Sequence, residues 1–111
     1  MKNLLITLSL LALTPAFAAD TPAPSAVHRY LVERTFPKGA LDGLDAEGKT
    51  KINATNASYG VTWVMSYANA AKTKTYCIYQ APDEAAIRQA AKANAIPVDS
   101  ITEVPETLLP K

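Results

Sequence analysis

The sequence predicts an α+β sandwich in the order β-α-β-β-α-β, with a four-stranded antiparallel sheet and two helices on one face. Three observations carry this expectation. Short runs rich in aromatic and β-branched residues recur at 28–36, 61–67 and 74–80. The last two are joined by a small polar linker at hairpin spacing. The stretches between the other runs lack alternation and carry helix start and stop signals instead.

The elements follow in order. Residues 28–36 (HRYLVERTF) alternate, and Pro37-Lys38-Gly39 stops them, which predicts a first strand. Residues 44–58 carry Leu44, Ile52 and several alanines, with Asp42 or Asp45 near the start, and predict a helix that Gly60 closes. Gly48 and two asparagines make it a weak helix. Residues 61–67 (VTWVMSY) and 74–80 (KTYCIYQ) predict a hairpin. Pro82-Asp83-Glu84 opens a second helix over 85–93, with Asp83 as cap and Arg88 and Lys92 on one face, ended by Asn94. Residues 97–100 turn, 101–104 form a short last strand, and Pro105 begins a tail. This order is the split βαβ, or ferredoxin-like, sandwich. Its second sheet face is open and carries aromatics, so it is expected to meet a second subunit or to enclose a ligand.

The flanks read differently. Lys2, the apolar run 4–13 and Ala16-Phe17-Ala18 form a secretory signal peptide over 1–18. That run is too short to cross a bilayer. Residues 19–27 are a Pro, Ala and Ser tether, 28–104 the domain and 105–111 the tail. The expected location is periplasmic or secreted, in a bacterium. Asn53 and Asn56 each start an N-x-S/T triplet, read as accidental inside a predicted helix.

Charge narrows the partners. Eleven basic residues against ten acidic ones, with no basic cluster, exclude nucleic acid and a polybasic membrane contact. Cleavage after Ala18 removes Lys2 and leaves the exported chain without formal net charge. The single Cys77 cannot form an internal disulfide, so it is buried, metal-bound or paired between chains. A small domain without disulfides gains most from a second chain, which predicts a homodimer through the open sheet face.

If the hairpin is centred near Ala71, Met65 lies opposite Cys77 and Trp63 opposite Tyr79. Trp63, Met65, Tyr67, Cys77 and Tyr79 would then cluster, either as core or dimer interface, or as an aromatic pocket whose thiolate and thioether suit a soft metal such as Cu(I). His28, the only histidine, stands where tether meets strand. Glu33, inside the first strand beside Arg34, is either a solvated side chain or a carboxylate under a pocket. The candidate metal ligands are therefore Cys77, Met65 and His28, and the candidate ligand- or cofactor-binding residues Glu33, Trp63, Tyr67 and Tyr79. CxxC, HExxH, EF-hand, phosphate-loop and G-x-S-x-G motifs are absent from the sequence.

The segments 30–34 (YLVER), 63–67 (WVMSY), 76–84 (YCIYQAPDE), Ile87-Arg88, Ile96-Pro97 and 101–104 (ITEV) resemble a small bacterial nickel-binding-protein-like family of domains of unassigned function. The resemblance spans nearly all of 28–104. It implies a ferredoxin-like fold, a dimer and nickel as the metal. The family pattern often has histidine where this chain has Met65 and Ala90, and many members lack a signal peptide. The expected function is an exported, non-catalytic dimer that binds a small ligand or metal ion on or beside the open sheet face. The alternatives are a small dimeric enzyme in which Glu33 or Tyr67 moves a proton, and a purely structural or interaction module.

Overall fold

The computed structural model describes residues 26–111, so the signal peptide and most of the tether expected from the sequence lie outside the described residues. The element order is β1 (His28–Thr35), α1 (Ala46–Ser58), β2 (Thr62–Ala68), β3 (Lys74–Ala81), α2 (Glu84–Ala93) and β4 (Ser100–Glu103). One sheet forms in the order β2-β3-β1-β4, with every neighbouring pair antiparallel. This is the expected sandwich. No described helix is long and apolar enough to cross a membrane.

Local chemistry fixes the helix ends. Asp45 in extended backbone accepts from the Gly48 N–H at 2.8 Å, so α1 starts two residues later than its apolar content suggested. Asp83 caps α2 in the same way through Ala86 N at 2.8 Å. Both helices end in a Schellman turn. At α1, Gly60 takes the left-handed position (φ 74°), with Gly60 N bonded to Ala57 O and Val61 N to Asn56 O. At α2, Ala95 occupies that position (φ 56°), with Ala95 N bonded to Lys92 O and Ile96 N to Ala91 O.

The two helices cover the sheet unequally. α2 buries Ile87 and Ala90 against Tyr30, Val32, Val61, Cys77, Tyr79 and Ala81, which form the core with them. Ile87 and Val32 are the largest fully enclosed side chains, and full burial of Ile87 contributes about 1.5–3 kcal/mol. α1 (AEGKTKINATNAS) has no apolar stripe, and Asn56 is its one buried residue. That Asn56 accepts from Asn94, the C-cap of α2, at 3.1 Å, so the helices meet at their C-terminal ends. The N-terminal half of α1 borders an open cleft. Burial of Asn56 also removes one of the two N-x-S/T asparagines from the surface of the folded chain.

The hairpin corrects the expected register. Trp63 pairs with Tyr79 as anticipated, but Val64 is then extra, and Met65 pairs with Ile78 instead of Cys77. This β-bulge shifts the rest of β2 by one residue. Because side chains alternate, the shift sends Met65 and Tyr67 to the open face, while Trp63 and Ser66 stay on the helix side with Cys77 and Tyr79. The expected five-residue aromatic and sulfur cluster is therefore divided by the sheet.

Candidate functional site

The helix side of the sheet holds a cleft of about 880 Å³. Its sheet wall comes from Arg34 of β1, Trp63 and Ser66 of β2, and Thr75, Cys77 and Tyr79 of β3. Lys49 and Ile52 of α1, with Leu44 just before it, form the opposite side, and Ala95, Ile96 and Pro97 close one end from the turn after α2. The opening follows from composition: a helix without an apolar stripe has little to bury there, so the sheet beneath it keeps an uncovered wall. A volume of this order falls in the range of small-molecule sites.

The polar groups in the cleft are positioned by the sheet. Arg34 follows Tyr30 and Val32 on the inward face of β1 and is 4% exposed. Its Nη1 donates to Pro97 O at 2.7 Å and its Nη2 to the Tyr79 hydroxyl at 3.1 Å. The guanidinium carbon stands 5.4 Å from the centre of the Tyr79 ring, within cation–π range. Burial pushes the Tyr79 phenol above its ordinary range, and the Arg34 charge opposes part of that rise. Tyr79 is thus neutral near pH 7, and its hydroxyl accepts from Arg34. Trp63 Nε1 donates to Ser66 Oγ at 2.7 Å across the bulge, which fixes the indole beside the opening.

The residues singled out from sequence are dispersed. Trp63, Cys77 and Tyr79 line the cleft, and Tyr67 reaches its border while 67% exposed. Met65, 45% exposed, is on the open face. Glu33 is also on the open face, where its Oε2 accepts from Ser100 Oγ at 2.9 Å. His28 begins β1, with Nδ1 2.9 Å from Glu103 Oε2 at the far end of the strand from Arg34. The cleft lies on the helix side, whereas the sequence reading placed a ligand on or beside the open face. Arg34 is the residue that sequence reasoning missed. The signal was present, since alternation in β1 puts it on the same face as Tyr30 and Val32.

The nickel implied by the resemblance can be weighed against these donors. Cys77 is buried on one side of the sheet, Met65 faces the other, and His28 is engaged with Glu103. Among the described residues, no three of His, Cys, Asp and Glu gather as a metal site. The described donors of one chain do not fit a nickel ion.

Comparison with known proteins places the fold and the family. No curated protein matches the sequence. A crystal structure of SCO4226 from Streptomyces coelicolor A3(2) superposes with a TM-score of 0.53 at 15% identity, covering 72% of this chain and 99% of that one. At that identity the likeness concerns the fold. The sequence profile described as nickel responsive protein SCO4226-like matches residues 30–104, and the chain belongs to that family.

Proposed function

We propose that this protein is an exported, non-catalytic binding domain that pairs through its open sheet face and takes a small ligand in the cleft on its helix side. The observation that carries the reading is the division of labour between the two faces of one sheet. The open face presents Met65, Tyr67 and Tyr76 at 45%, 67% and 40% exposure, beside half-buried Leu31 and Ile78. Such a surface suits association with a second copy. The helix face presents a concave site with aromatic walls and a fixed cation. Arg34, Lys49, Ser66 and the neutral Tyr79 phenol hold and orient a ligand. A response to nickel, as in the family name, would need donors beyond those described in one chain.

Native mass spectrometry of protein recovered from the periplasm tests the parts together. The expected species is a dimer of chains lacking residues 1–18, without stoichiometric nickel after addition of the metal. Tyr67→Glu should convert it to monomer with unchanged circular dichroism. A chain retained in the cytoplasm, or a Tyr67→Glu dimer, would refute the export or the interface. Stoichiometric nickel lost on Cys77→Ser would replace the cleft reading with a metal one.

A further inference from the structure

Arg34 is a cation enclosed by protein whose described partners are all neutral: a carbonyl, a phenol and an aromatic face. A guanidinium presents five N–H donors in a planar fork, and these contacts engage only part of it. Enclosing a charge without an opposite one is unfavourable. The carboxylates that form ion pairs in this domain do so elsewhere, Glu47 with Lys51, Glu84 with Arg88 and Asp99 with Lys74, and Glu103 is hydrogen-bonded to His28. The remaining charged residues of the cleft wall, Lys49 and Lys72, are also basic, and no carboxylate is among the described lining residues. Apolar side chains, Leu44, Ile52, Trp63 and Ile96 among them, complete the wall.

We propose that the cleft takes a small organic carboxylate with an aromatic or branched apolar body, its carboxylate held by the free N–H groups of Arg34. The proposal rests on the cleft being the ligand site and adds the class of ligand. A carboxylate supplies the missing negative charge and matches the planar fork with two oxygens. The apolar wall rewards a body that a free phosphate lacks. Trp63 and the Tyr79 ring favour an aromatic body.

Trp63 is the only tryptophan, so its fluorescence reports occupancy of the mature chain. Titration with 3-phenylpropanoate should give a saturable change. The neutral 3-phenylpropanamide should bind about tenfold more weakly or worse, and inorganic phosphate should not compete. Arg34→Gln should remove the preference for the acid, bringing the two probes to similar affinity. Because Arg34 also tethers Pro97, a second variant keeps it: Ile52→Glu brings a carboxylate to the cleft wall, and should weaken the acid about tenfold more than it weakens the amide. Equal affinity for acid and amide would overturn the anion assignment and leave the cleft as a neutral-ligand site. No saturable change with either probe at millimolar concentration would overturn both the assignment and the cleft reading. Phosphate competing as well as the acid would overturn the carboxylate class. A signal that follows protein concentration instead of probe concentration would give the cleft to a second chain and overturn the proposal.

Discussion

Replacing Ala95 with glycine should stabilise the domain. Ala95 sits at φ 56° in the turn that ends α2, a conformation in which an L side chain crowds the backbone by about 1–2 kcal/mol. Glycine relieves that crowding but gains freedom in the unfolded chain, which returns about 0.4–1 kcal/mol. Taking the middle of each range, the net effect is a stabilisation of about 0.8 kcal/mol, or roughly 3–6 °C in melting temperature for a domain of this size. Thermal unfolding followed by far-ultraviolet circular dichroism measures it directly. Gln89→Gly is the matched control, since Gln89 is exposed in the middle of α2 with helical backbone, and glycine there should cost about 0.5–1 kcal/mol. A lower or unchanged melting temperature for Ala95→Gly would refute the argument that this turn carries left-handed strain. The site gives the test functional interest, because the same turn brings Pro97 to Arg34.

Ile87→Ala removes the largest enclosed side chain of α2 and should cost about 2–5 kcal/mol, read as a lower urea midpoint with unchanged slope. Asp83→Ala deletes the α2 cap and should cost about 1 kcal/mol in the same assay. Tyr79 should be among the last tyrosines to ionise in an absorbance titration, with its step missing in Tyr79→Phe. Its folded value is raised, so its contribution to stability is complete below the ordinary phenol value of about 10 and is lost as pH climbs through the folded value. Cys77, 5% exposed, should react with a thiol reagent far more slowly in the native protein than in urea, and equal rates would contradict its burial.

Much of this architecture was legible because it depends on local rules. The stop after β1, the small polar linker of the hairpin and the Asp83 cap each act within a few residues, and each marks an observed boundary. α1 was legible in a subtler way: Gly48 and its asparagines marked it as weak, and the missing apolar stripe is what leaves the cleft open. The bulge at Val64 was not legible, because a valine there reads as ordinary strand and the extra residue is defined only by its partner strand. That one residue moved Met65 and Tyr67 away from Cys77. Glu33 and Arg34 show the opposite case. Adjacent in sequence, they face opposite sides, and the strand period alone places the cation inside with Tyr30 and Val32.

The bulge also has a bearing on how two copies can meet. β2 is one margin of the sheet, and a strand there offers free N–H and C=O groups to any passing strand. The irregularity between Trp63 and Met65 interrupts that row near its middle. The other margin, β4, is only four residues long and is followed within two positions by Pro105, which has no N–H to offer. Neither margin is a good template for extending the sheet into a neighbour. Growth into a continuous ribbon is discouraged at both ends, and a second chain is left with a broadside approach, layer upon layer, across the flat of the sheet.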